Sequence, residues 1–316
     1  MPSWRIFFAL SLAFAIACLP RIAFGLEGVT VVLSDEGGAY AEIVEKMRAT
    51  LLQGSTAKLE IKVVPLHSLK EGEALRANAG QMVVAIGVDA MEAVEKSKLP
   101  QPVLNVLVPR TAFEKVARQG GRLGDTRNFS AIYLDQPWAR QFALIRQALP
   151  GRTRVGILLG PSSAELETLL RAEAKAAGLL AVIGKISDAD PLPELKQLLG
   201  NCDAVLAVPD QNIYNRSTIQ SILLTTYRHQ VPLFGFSSSY VKAGAIAAVY
   251  SLPAQIGQQA AEVIQKMGVE RHLPPPQFTR YFSVGVNAQV ARSLGLVVED
   301  EATLHGKLKH VVEGAP

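Results

Sequence analysis

The side chains best suited to moving protons or holding a metal are the five histidines, His67, His229, His272, His305 and His310. Only His305 and His310 are near neighbours, and their spacing does not align them on one helical face, so no metal site is expected. Cys18 and Cys202 are the only thiols. Cys202 stands before an apolar run with no histidine near it in sequence, the setting of a small buried hydrophobe. Glycine-rich phosphate loops, H-E-x-x-H and G-x-S-x-G are absent. Carboxylates are plentiful, but nothing in the sequence pairs them. No catalytic constellation results, and neither enzymatic activity nor a cofactor is expected.

Recognition of a small molecule is better provided for. Tyr40, Trp138, Tyr214, Tyr240 and Tyr250 fall in or beside turns that follow apolar runs, although aromatics make up only 6% of the chain. An apolar pocket with a few placed polar groups is the usual form of a small-molecule site. Asp35, Asp135 and Asp210 each follow such a run closely, where a carboxylate either meets a ligand or caps the next helix. Arg216 offers a fork for a carboxylate or lies on a solvated face. Ser237, Ser238 and Ser239 donate to an anion at a helix start or merely cap it. Use of both charge signs would suit a zwitterionic or amide-like solute.

The elements that must position these residues alternate between two periodicities. Val29–Leu33, Leu59–Val64, Met82–Ile86 and Val103–Val108 are short continuous apolar runs rich in β-branched residues, as expected for strands covered on both faces. Helical stripes lie between them, such as Ile43, Val44, Met47 and Leu51. The pattern restarts with Val155–Leu159, Leu180–Ile183, Ala204–Val208 and Leu233–Phe236. Two sets of about four strand–helix units predict an α/β fold of two Rossmann-like lobes with parallel sheets. A further strand, Ala245–Tyr250, precedes a helix striped by Ile256, Ala260, Val263, Ile264 and Met267. Pro274-Pro275-Pro276 ends that stretch, and Phe278–Val286 reads as extended. The surplus helix and strand are accommodated if the chain crosses between lobes three times. The expected first lobe is 26–134 plus 252–282, and the second is 135–251 plus 283–316. Ligands of parallel sheets bind beyond the carboxyl ends of the strands. That places Gly87 in a candidate ligand loop, and puts Trp138 and Tyr214 at helix starts on opposite lobes.

The N-terminus sets the compartment. Arg5, the apolar Ile6–Leu19 and the small residues of Ala23-Phe24-Gly25 form a signal peptide expected to be cleaved after Gly25. Its apolar run is shorter than the roughly 20 residues of a membrane-spanning helix. Cys18, after Ala15-Ile16-Ala17, loosely resembles a lipoprotein box, and the cleavage reading is preferred to it. A mature chain with Cys202 alone has no internal disulfide. The net charge of +4 includes Arg5 and Arg21 of the leader, and no basic run marks a nucleic-acid surface. A periplasmic monomer is expected.

Several stretches are similar to the periplasmic binding proteins of ABC importers with the type I fold, and within them to the subgroup that includes tryptophan- and tyrosine-binding proteins. They are Ala148-Leu149-Pro150 with Arg154-Val155-Gly156-Ile157-Leu158; Ala204 to Pro209; Val231-Pro232-Leu233-Phe234-Gly235-Phe236; Ile256-Gly257-Gln258-Gln259-Ala260-Ala261; and Val286-Asn287-Ala288 with Leu294-Gly295-Leu296. The chain departs from the family pattern at Gly87-Val88, where Gly-Thr is common, and at Phe129-Ser130-Ala131-Ile132, where Thr-Gly-Val is common. The resemblance implies an extracytoplasmic protein that captures a small, amino-acid-like or aromatic solute between two lobes and partners a membrane permease. The alternative is a sensing module of a membrane signalling system built on the same fold.

Overall fold

The computed structural model describes residues 26–54, 59–69, 81–187 and 190–313. The expected leader, its expected cleavage motif and Cys18 lie outside the described residues.

Twelve strands divide between two six-stranded sheets among the described residues. The first contains β1 (Gly28–Leu33), β2 (Glu60–Pro65), β3 (Gln81–Ile86), β4 (Val103–Val108), β5 (Phe129–Tyr133) and β11 (Gln277–Phe278). The second contains β6 (Arg154–Leu159), β7 (Leu180–Lys185), β8 (Ala204–Leu206), β9 (Leu233–Gly235), β10 (Ala247–Tyr250) and β12 (Ser283–Val286). The orders are β11-β5-β4-β3-β1-β2 and β12-β10-β9-β8-β6-β7. The two sheets thus repeat one parallel topology, each closed by a late strand from the C-terminal region. β11 runs parallel to β5, whereas β12 is antiparallel to β10.

Both faces of each sheet are covered, as the continuous apolar runs require. In β1, Val29, Val31 and Leu33 face one core while Val32 faces the other. The first sheet packs on one face against α1 (Ala39–Gly54) and on the other against α2 (Val88–Lys96) and α3 (Arg110–Gln119). The second packs against α4 (Trp138–Ala148) and α5 (Glu167–Ala176) on one face, and against α6 (Leu192–Leu199) and α7 (Ile219–Arg228) on the other. A short α8 (Ser238–Ala243) follows β9.

The long helix α9 (Pro253–Glu270) leaves β10 of the second sheet yet packs on α1 of the first. Its stripe of Ile256, Ala260, Val263, Ile264 and Met267 joins the core that holds Ile43, Val44, Met47 and Leu51. The chain then adds β11 to the first sheet, crosses again to β12, and ends in α10 (Ala288–Ser293) and α11 (Glu301–Glu313). Three crossings therefore join the halves. The single extended run Phe278–Val286 is in fact two strands in different sheets. Residues Thr279–Phe282 carry the third crossing between them, a break that continuous apolar patterning conceals. β5, absent from the strands read in the sequence, completes the parallel part of the first sheet.

Candidate functional site

A cleft of about 290 Å³ opens where the crossings meet the carboxyl ends of the strands. Its walls come from both sides: Pro109 and Leu134 near the first sheet, Pro209, Phe236, Ser237, Ser238 and Val249 on the second. Asp135, Gln136, Trp138, Gln141, Tyr250, Ser251, Leu252 and Pro253 line it along the crossings. Two longer helices, α4 and α9, begin at its edge with Trp138 and Pro253. The lining is largely apolar, with a minority of hydroxyl, amide and carboxyl groups.

Local chemistry explains how several of these residues are held. Asp135 accepts a hydrogen bond from the backbone N–H of Arg110 and so tethers the start of α3 to the first crossing. Burial pushes its carboxyl pKa up, and that N–H bond pulls the other way. Pro109 follows a register shift in β4, where Leu107 takes φ 58°. Burial likewise raises the Tyr250 phenol, with the Glu301 carboxylate adding to the effect. Gln141 is 4% exposed, and its Oε1 has no hydrogen-bond partner. Among the described residues no cluster of histidine, cysteine, aspartate or glutamate has the make-up of a metal site, and no helix is long and apolar enough to cross a membrane.

The family model described as ABC transporter substrate binding protein matches residues 125–307, more than half of the chain. The chain belongs to this family. No curated protein matches the sequence. Among solved structures, the ABC domain in complex with L-Trp from Streptococcus pneumonia is similar over 89% of this chain and 97% of that chain, with TM-score 0.59 and 16% identity. The ligand-free, open form of a substrate binding protein with adhesive properties from Clostridium difficile is similar over 87% and 96%, with TM-score 0.67 and 13% identity. A periplasmic ribose ABC transporter protein from Conexibacter woesei is similar over 86% and 96%, with TM-score 0.54 and 13% identity. These likenesses show the type I periplasmic binding fold.

In this substrate-binding protein, five of the residues singled out in the sequence come together in the cleft: Asp135, Trp138, Ser237, Ser238 and Tyr250. Asp35, Tyr40 and Gly87 gather instead at the ends of β1 and β3. There Gly87 has φ 92°, and a Cβ would lie 2.6 Å from Ser34 Oγ and 2.9 Å from the Tyr40 ring. Ser34 Oγ accepts the Ala90 N–H and caps α2, while Asp35 accepts the Gly37 N–H. Asp210 bridges the loops after β6 and β8: it accepts from Ser163 Oγ at 2.7 Å and from the Asn212 backbone at 2.9 Å. Arg216 is exposed in the turn before α7.

Trp138 and Tyr214 do not lie on opposite lobes. Trp138 packs on the core under one face of the second sheet, and Tyr214 belongs to the core under the other. The stripe of Phe142, Ile145 and Ala148 ties α4, with Trp138 at its first position, to the second sheet. Tyr214 precedes α7 in a turn, and its ring packs against Phe236 and Tyr240, both at 6.4 Å between centroids. Gln136, Gln141, Phe236 and Leu252 were not singled out in the sequence. Gln141 had one readable signal, a position three residues after Trp138 on the same helical face.

Proposed function

We propose that this protein captures a small, amino-acid-like or aromatic solute between a first lobe of residues 26–134 plus 252–282 and a second of 135–251 plus 283–316. It does so outside the cytoplasm, after loss of a leader ending at Gly25, and delivers the solute to the permease of an ABC importer. The observation that carries this reading is the apolar cleft at the crossings, where Trp138, Phe236 and Tyr250 supply flat surface and Asp135, Gln141, Ser237 and Ser238 supply polar ends. Its volume of about 290 Å³ is near the lower end of the roughly 300–1,000 Å³ usual for small-molecule sites. Such a site suits a compact solute rather than a polymer.

The test is mass spectrometry of solutes that co-purify with the natively folded protein, followed by calorimetry with the compound found. Trp138→Ala is expected to weaken binding by on the order of 2 kcal/mol, roughly thirtyfold. A compound that binds wild type and Trp138→Ala equally, with stability unchanged, would place the site elsewhere.

A further inference from the structure

Side chains from all three crossings meet in one buried polar cluster. At its centre is Arg140, in the first turn of α4 and 4% exposed, with no carboxylate paired to it among the described residues. Burial pushes its guanidinium pKa down to about 10. Nη1 donates to Gln136 Oε1 at 2.5 Å and to the Thr279 carbonyl at 3.1 Å. The guanidinium carbon lies 4.2 Å from the centre of the Phe282 ring, and Nε has no partner.

Gln136, in the first crossing, spends its amide donors on the other two. Its Nε2 donates to Ser251 Oγ at 2.8 Å and to Thr279 Oγ1 at 3.0 Å. Ser251 Oγ is also 2.6 Å from Thr279 Oγ1 and 2.7 Å from the Tyr281 carbonyl. A hydroxyl has one hydrogen, so Ser251 accepts from Gln136 and donates to one of those two oxygens at a time.

A buried cation without a counter-charge is costly, and here only two neutral oxygen acceptors and the Phe282 ring offset that cost. What the cation does here is polarise. By drawing on Gln136 Oε1 it strengthens the amide N–H donors that reach across to the second and third crossings. Gln136 and Ser251 also line the cleft, so an occupant meets the same side chains that join the crossings.

We propose that Gln136, held by Arg140, is a positioning residue that ties the three crossings together and sets the resting angle between the lobes. A solute in the cleft then acts on the hinge through Gln136 and Ser251. This second step rests on the solute-capture reading; the first does not.

The experiment measures the interlobe distance by pulsed electron spin resonance in solute-stripped protein, with nitroxides at Lys115→Cys on α3 and Lys196→Cys on α6. Both positions are exposed, and the native Cys202 is buried. The test variant is Ser251→Ala/Thr279→Val, which deletes the two bridging hydroxyls but leaves Arg140 both of its acceptors. It is expected to fold, with a distance distribution that roughly doubles in width as the lobes sample more angles. The milder Ser251→Ala is expected to broaden it less, and Thr279→Ser, which keeps the hydroxyl, to leave it narrow. Folded variants that retain the parent's narrow distribution would overturn the proposal. Because the measurement is made without solute, its outcome is independent of whether a solute is ever found.

Discussion

Tyr214 has a buried ring whose hydroxyl finds no hydrogen-bond partner. Burial, the largest cause, and the nearby Tyr240 and Asp210 push the phenol pKa far up, so it stays neutral. Tyr214→Phe removes an unsatisfied polar group and keeps the ring. Urea unfolding is therefore expected to show stability unchanged or raised by up to about 1 kcal/mol. A clear loss on Tyr214→Phe would mean that the hydroxyl has a partner. Asp203 presents the opposite case. Its carboxylate bonds to the Arg154 guanidinium and to the backbone N–H groups of Thr153 and Arg154, which hold its pKa down at about 2. A carboxyl depressed in the folded state stabilises fully above the unfolded value near 4, and that contribution is lost as pH falls towards 2. Asp203→Asn is thus expected to cost on the order of 1 kcal/mol at neutral pH and progressively less below about pH 4. An equal cost at both extremes would show that the ion pair is not the source. The difference between these residues was not legible in sequence. Asp203 directly precedes β8 and Tyr214 lies in the turns after it, and only the packing decides which one water can reach.

The element on which the architecture turns is α9. Gly257 lets it approach α1 so closely that a Cβ would come within 2.5 Å of the Ile43 carbonyl oxygen. That neighbour is backbone, which cannot rotate aside. Gly257→Ala gains helix propensity of up to about 1 kcal/mol, but the clash must push the two helices apart. The net effect is expected to be a loss of about 1–3 kcal/mol, measured by chemical denaturation. A stabilised variant would mean that the helices pack more loosely than described. The stripe along α9 was readable from its spacing. Its docking on the first sheet followed only from counting elements, since an apolar stripe specifies burial but not the surface that buries it.

For the whole molecule, the proposed capture of a solute between the lobes predicts hinge closure at the three crossings. A solute that touches both lobes favours the closed form only by its differential affinity for that form. Small-angle scattering is therefore expected to show a smaller radius of gyration once the co-purified compound is added back to stripped protein. The same addition, at about 100 times its dissociation constant, stabilises the fold by about 2.7 kcal/mol. Stabilisation without compaction would indicate binding to one lobe alone.

The sequence by itself determined the α/β class, the two sets of parallel strands and the loops in which recognition could occur. Strand burial and helical stripes are periodic, and periodicity survives in one dimension. Asp135, Trp138, Ser237, Ser238 and Tyr250 converge in the cleft because the ends of parallel strands always lie on one edge. Tertiary structure alone decided that Phe278–Val286 is split between sheets, that Trp138 and Tyr214 sit under opposite faces of a single sheet, and that Gln136, Arg140, Ser251 and Thr279 meet. Gln136 is 115 residues from Ser251 and 143 from Thr279. Contacts at such separations leave no periodic trace, because they depend on the angle at which three separate crossings are brought together.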